Sequence, residues 1–147
     1  MIALDTNLLV YAHRSDSKWN AAAYACVEEL ARGKVSWGLP WPCVHEFLAI
    51  ATHPKIFDPP STMEQAIDQV EAWLEPEGAV VLAEPDAYWP RARELLHTGK
   101  IVGPRVHDAR VAAICLAHGV TELWTADRDF SRFPQLRTRN PLTQAPR

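Results

Sequence analysis

Short apolar runs alternate along this chain with stretches in which apolar residues recur every three or four positions. Runs of four or five apolar residues bounded by turn formers suit buried strands, and the longer period suits helices with one inward face. Residues 1–5 (Met1-Ile2-Ala3-Leu4-Asp5) read as a short buried strand. Thr6 and Asn7 can cap a short helix through Ala12. Asp16 and Ser17 can cap a longer one from Lys18 to Arg32, closed by Gly33. Val35 to Leu39 reads as a second strand. Pro40 and Pro42 introduce a helix to about Thr52, with Pro42 tolerated in its first turn.

Ser61 and Glu64 have the spacing of a capping box, opening a helix to Leu74 with Ala66, Ile67, Val70 and Leu74 as its apolar stripe. Ala79 to Leu82 follows as a third strand. Asp86 can cap a helix to His97, since Pro90 then falls in the first turn. After a loop over 100–106, a helix runs from His107 to His118 and stops at Gly119. Glu122 to Thr125 is a fourth strand and Leu136 to Arg139 a fifth. Strands alternating with helices predict an α/β fold with a mainly parallel sheet and right-handed crossovers. No glycine-rich fingerprint follows the first strand, so this architecture does not imply a dinucleotide.

The chain's 147 residues suit one domain spanning 1–147. Apolar content of 48% and charged content of 22% are ordinary for a globular protein. No apolar run approaches membrane-spanning length, and no basic segment precedes the first one, so neither a transmembrane helix nor a signal peptide is expected. Cys26, Cys43 and Cys115 each fall in a helical pattern and read as buried free thiols, consistent with a reducing cytoplasm.

The candidate chemistry lies in five acids: Asp5, Glu46, Asp108, Asp127 and Asp129. Asp5 ends the first strand, and Asp127 and Asp129 follow the fourth. Open α/β sheets bind ligands at the carboxyl ends of their strands. Glu46 stands in a largely apolar helix, Val44-His45-Glu46-Phe47-Leu48, where a charge must reach water, a partner or a metal. Asp108 opens an alanine-rich helix. Taken singly, Asp5, Asp127 and Asp129 read as turn or cap residues, and Asp108 as a complement to its helix dipole. Taken together, they form an all-oxygen donor set that suits Mg²⁺ or Mn²⁺. Divalent ions held there would neutralise the acids and promote phosphodiester hydrolysis.

His45 and His107 adjoin proposed ligands but should not share their helix face, which disfavours zinc. Asn7 and Thr125 carry polar groups that can orient a carboxylate or hold a water. The net charge is −3. Setting the five acids aside leaves thirteen of 18 acidic residues against 15 Lys and Arg, and the stretch from Lys100 to Arg147 is richest in base. A basic rim around a metal-filled acidic centre suits a polyanion.

Several of these segments resemble PIN-domain nucleases. Leu4-Asp5-Thr6-Asn7-Leu8-Leu9-Val10-Tyr11-Ala12 is similar to the family's opening motif, and Glu46 in its apolar helix to its second acid. His107-Asp108-Ala109-Arg110-Val111-Ala112-Ala113 with His118-Gly119 resembles the third acid's helix. Thr125-Ala126-Asp127-Arg128-Asp129-Phe130 resembles the fourth motif and is the most specific of the four. The order and spacing cover essentially the whole chain, and among PIN proteins it looks most like VapC-type toxins of bacterial toxin–antitoxin modules. His53-Pro54-Lys55-Ile56-Phe57, then Pro59 and Pro60, and Asn140-Pro141-Leu142 resemble one actinobacterial-type subgroup.

The resemblance implies a parallel sheet in the order 3-2-1-4-5 and an endoribonuclease dependent on Mg²⁺ or Mn²⁺. It implies a structured RNA of translation as substrate, such as transfer or ribosomal RNA. Asp5, Glu46, Asp108 and Asp127 match the family quartet, and Asp129 a position that is acidic in many members. A homodimer and a cognate VapB-type antitoxin are implied as partners. An amphipathic antitoxin helix would cover a groove walled by Trp19, Trp41 and Phe47, with a basic side chain placed among the acids. Three other readings compete: a PIN-fold RNA-processing enzyme that is not a toxin, an aspartyl-nucleophile phosphatase, and a non-catalytic module. The phosphatase would want a second Asp two residues after Asp5, where Asn7 stands.

Overall fold

The computed structural model describes residues 1–143. Five parallel strands form one sheet: β1 (Ile2–Leu4), β2 (Trp37–Pro40), β3 (Ala79–Leu82), β4 (Glu122–Trp124) and β5 (Thr138–Arg139). Their order is β3-β2-β1-β4-β5, as the family resemblance implies. Six helices flank it: α1 (Thr6–His13), α2 (Asn20–Arg32), α3 (Trp41–Ala51), α4 (Met63–Leu74), α5 (Tyr88–Thr98) and α6 (Arg105–Ala117). A 3-10 turn, Arg128–Arg132, follows β4.

The central strands are buried on both faces, which explains why they read as continuous apolar runs rather than alternating ones. Ala3, Leu4, Trp37, Leu39 and Leu123 are all fully buried. β1 lies between β2 and β4, with Ile2 opposite Trp37 and Leu4 opposite Trp124. Gly38 lets β2 approach β3 closely, since a Cβ there would meet the Leu82 side chain at 2.7 Å. Leu8 and Leu9 of α1, Val44 and Phe47 of α3, and Ala112 and Ile114 of α6 complete the core.

Element boundaries shift where a local partner outcompetes the expected one. The capping box of α4 is Thr62 with Gln65, rather than Ser61 with Glu64. Ser61 is instead buried and bonded to His13 Nε2 at 2.8 Å. On α4, Trp73 turns inward with Ala66 and Val70, and Ile67 faces solvent. β2 starts at Trp37, because Val35 lies outside the sheet and is exposed. Asp16 pairs with Arg14 instead of capping α2, which starts at Asn20 after Trp19. α5 starts after Ala87 rather than after Asp86. α6 starts at Arg105, two residues earlier than the sequence pattern suggests, and Gly119 closes it with φ of 70°. The basic residue Arg147 lies outside the described residues.

Candidate active site

The order of the sheet places the carboxyl ends of β1 and β4 side by side. Connections leave in opposite directions at this point, which opens a crevice. The backbone N–H of Asp5 donates to the Trp124 carbonyl at 3.0 Å, so the chain continues the ladder one residue beyond β1. Asp5 then serves as the N-cap of α1, accepting from the Thr6 N–H at 2.8 Å. Thr6 and Asn7 lie inside the helix rather than capping it. One carboxylate thus caps the helix and borders the cleft, its two oxygens serving different partners.

Oδ2 of Asp5 accepts from the Thr125 hydroxyl at 2.8 Å and from the Asn7 amide at 3.3 Å. The Cys43 thiol donates to Oδ1 at 3.5 Å. Burial holds that thiol well above its ordinary pKa, so it stays protonated and able to donate. Thr125 Oγ1 in turn accepts from Asn7 Nδ2 at 3.2 Å and from the Asp127 N–H at 3.0 Å. Asn7 Oδ1 accepts from the Ala126 N–H at 3.0 Å. Asn7 and Thr125 therefore tie the two strand ends together and aim Asp5. Beyond them, Asp127 accepts from the Asp129 N–H at 2.8 Å and caps the 3-10 turn.

Glu46 on α3 and Asp108 on α6 border the same cleft as Asp5 and Asp127, an open hollow of about 800 Å³. Electrostatics report how closely the acids converge. Burial raises the pKa of Asp5, against the pull of its hydrogen bonds from Thr125, Thr6 and Cys43. Burial and the charge of Asp5 raise Glu46, while His107 nearby lowers it. Asp108 is pushed up to about 6, first by burial and then by Asp127, Asp5, Glu46 and Asp129. Neighbouring carboxylates penalise one another's charged forms, a penalty that a cation would relieve. The donor set is all oxygen and fits a hard divalent ion. Among the described residues no three such side chains are already gathered tightly enough to hold an ion unaided. An ion that keeps part of its water shell suits this looser spacing.

The model of the PIN domain matches residues 2–136. The chain belongs to the PIN-domain family. Ribonuclease VapC43 of Mycobacterium tuberculosis is 34% identical over 142 residues, covering 97% of this chain and 96% of its own. The PIN fold recurs in VapBC2 from Rickettsia felis, solved bound to a DNA fragment from its promoter, with TM-score 0.65 and 23% identity over 95% of this chain and 98% of that one. It recurs again in VapC20 of M. tuberculosis, a sarcin–ricin-loop-cleaving toxin, with TM-score 0.67 and 14% identity over 89% and 93%.

Within this PIN domain the cleft also takes in Tyr11 and Arg110, which the sequence pattern did not assign to the site, besides residues it weighed otherwise. Tyr11, Trp41, His45, His107 and Arg110 all line the cleft. The histidines were set aside as off-face, yet the cleft is wide enough to meet adjacent helix positions. Of the three aromatics expected to wall a partner groove, only Trp41 does so. Phe47 is fully buried, with ring centroids 5.2 Å from His13 and 4.8 Å from Trp73. Trp19 lies off the cleft lining and stacks beneath Lys18. Phe57 and Ile56 supply the apolar wall instead. Among the described residues no helix is long and apolar enough to cross a membrane.

Proposed function

We propose that this PIN domain is the toxin of a type II toxin–antitoxin pair, an endoribonuclease that uses Mg²⁺ or Mn²⁺ to cleave a structured RNA of translation in the cytoplasm. The observation that carries the reading is that Asp5, Glu46, Asp108 and Asp127 all border one cleft, where burial first and the neighbouring acids second push Asp108 up to about 6. Relatives named as VapC ribonucleases support the enzyme class. VapC20, a sarcin–ricin-loop-cleaving toxin, is a precedent for ribosomal RNA within that target class. The VapBC2 structure supports a VapB-type antitoxin as partner, and a homodimer is the assembly we expect.

In this reading Asp5, Glu46, Asp108 and Asp127 hold the ion or ions, and Asp129, which does not line their cleft, stands beside Arg105. When bound, divalent metal supplies Lewis-acid stabilisation of phosphodiester oxygens and activation of a water. The chain's own share is positional. Thr125 pulls the Asp5 pKa down against burial and, with Asn7, aims the carboxylate; Cys43 satisfies its buried oxygen, and the helices bring Glu46 and Asp108 to the same cleft. An aspartyl phosphatase would need a carboxylate at Asn7, whose amide is already engaged by Thr125 and Ala126. The test is incubation of purified protein with total RNA, followed by mapping of new 5′ ends. Cleavage that stops in EDTA, returns with Mg²⁺ or Mn²⁺, and is absent in Asp5→Ala supports the reading. Full cleavage in excess EDTA contradicts it. Inhibition by the product of the neighbouring gene tests the toxin assignment separately.

A further inference from the structure

Asp129 and Arg105 divide the work at the cleft's edge in a way that the acid pattern alone does not suggest. Arg105 Nη1 lies 3.2 Å from Asp129 Oδ1. Asp129 is absent from the lining of the main cleft that holds the other four acids. It lines instead an adjoining groove with Val102, Pro104 and Arg105, and that groove shares Glu46, His107 and Asp108 with the main cleft. The two hollows are therefore continuous across Asp108. We infer that Asp129 is a positioning residue that presents Arg105, and that Arg105 binds the RNA phosphate next to the scissile one. This inference rests on the nuclease reading above.

The charge balance argues for it. A polyanion approaching four carboxylates needs a cation close by, even after metal has neutralised most of their charge. Arg110, which borders the main cleft, is already committed to Glu84 through its Nε. Arg105 is less fully engaged. Its Nη1 is shielded from water and, among the described residues, makes no hydrogen bond, the contact to Asp129 being an ion pair. A guanidinium carries five N–H donors in a planar fork and binds phosphate through two of them. One carboxylate on one nitrogen leaves that capacity incompletely used.

The fold holds the pair in place from both sides. Asp129 sits in the 3-10 turn that Asp127 caps. Arg105 begins α6, three residues before Asp108 and on the same side of the helix. A strand whose scissile phosphate lies among the acids would carry its neighbouring phosphate along the shared wall of Glu46, His107 and Asp108 to Arg105. An Asp129 carboxylate already facing a guanidinium is a poorer metal ligand, since a divalent ion would have to displace Arg105.

Binding of a labelled oligouridylate in Mn²⁺, followed by fluorescence anisotropy over a salt series, separates the two roles. Arg105→Gln should weaken binding by about tenfold and flatten the log–log salt dependence by about 0.7, the signature of one lost phosphate contact on a single strand. Arg105→Lys should keep the salt slope and bind with intermediate affinity, which also controls for folding. Calorimetric Mn²⁺ affinity should be unchanged in Asp129→Asn. Weaker Mn²⁺ binding in Asp129→Asn, or unchanged RNA affinity and slope in Arg105→Gln, would overturn the inference. A wild-type protein that binds the oligouridylate through Arg105 yet cleaves no cellular RNA would sink the nuclease reading, and with it the place beside a scissile phosphate, while the Arg105–phosphate contact would stand.

Discussion

Asp5 and Asp108 face one cleft, but the chain supports them in opposite ways. Asp5 is only 7% exposed and its carboxylate collects the Thr6 amide, the Thr125 hydroxyl, the Asn7 amide and the Cys43 thiol. Asp108 is half-buried on a helix, and among the described residues no hydrogen bond fixes its carboxylate. One side of the site is preorganised by the protein before any ligand arrives. The other side is held in mutual repulsion, to be relieved by positive charge. Buried carboxylates of the first kind are set by their donors, and those of the second by what binds them. The division follows from the fold: strand ends at a topological switch point share a rigid ladder, while helices only deliver side chains to its rim.

The largest expected effect is at the fixed half. Asp5→Ala removes the acid on which the whole network converges. Loss of a metal-holding carboxylate costs several kcal/mol of transition-state stabilisation, so cleavage should fall by roughly a thousandfold or more. Circular dichroism of the variant should remain that of a folded protein. Retention of near wild-type cleavage would mean that the organised half is structural only.

Thr125→Val tests the organisation itself, because it keeps shape and removes the hydroxyl that serves Asp5, Asn7 and Asp127 together. Loss of such a supporting partner typically weakens metal affinity or activity by about 10–100-fold. Mn²⁺ titration of activity checks this. A shift confined to maximal rate, with no change in the Mn²⁺ requirement, would assign Thr125 to something other than aiming Asp5.

A smaller effect, opposite in sign, is expected at the repelling half. The pKa of Asp108 is raised in the folded protein from 3.8 to about 6. The folded state then holds its proton where the unfolded chain has released it. Stability from this group is complete below the ordinary carboxylate range and is lost as pH rises through about 6. Without metal, the protein should therefore weaken across that window, and Asp5 and Glu46 act in the same direction. Asp108→Asn removes the charge and should stabilise the metal-free protein near neutral pH by about 1–2 kcal/mol, discounted for solvent screening. Below the ordinary carboxylate range the two proteins should melt alike. Chemical denaturation in EDTA across pH reads this directly, and destabilisation by Asp108→Asn would refute the repulsion.

The contrast also explains what the sequence could and could not reveal. The parallel α/β sheet was legible because parallel strands leave unbroken apolar runs, whereas its strand order came only with the family resemblance, and the four motif acids stood out as a set although Asp5, Asp108 and Asp127 singly read as caps or dipole complements. Asn7 and Thr125 were legible as neighbours of those acids. Cys43 was not, since a buried cysteine in a helical pattern is usually inert, and only the fold brings it to Asp5. Phe47 misled because a large aromatic beside Glu46 looks like a groove wall, whereas the helix turns it into the core. The caps of α2 and α4 were displaced because Arg14 claimed Asp16 and His13 claimed Ser61. Arg105 was read only as one more base in a basic stretch, since its place beside Asp129 depends on α6 starting two residues early.

The central claim is that a preorganised carboxylate and a set of repelling ones form one divalent-cation site. Calorimetric titration of Mn²⁺ into the metal-free protein tests it most directly, with Asp108→Asn and Asp5→Asn measured alongside. The account predicts saturable binding in the wild type, weakened in both variants, since each half of the site contributes a ligand. Absence of binding in the wild type, or equal affinity in all three proteins, would contradict it.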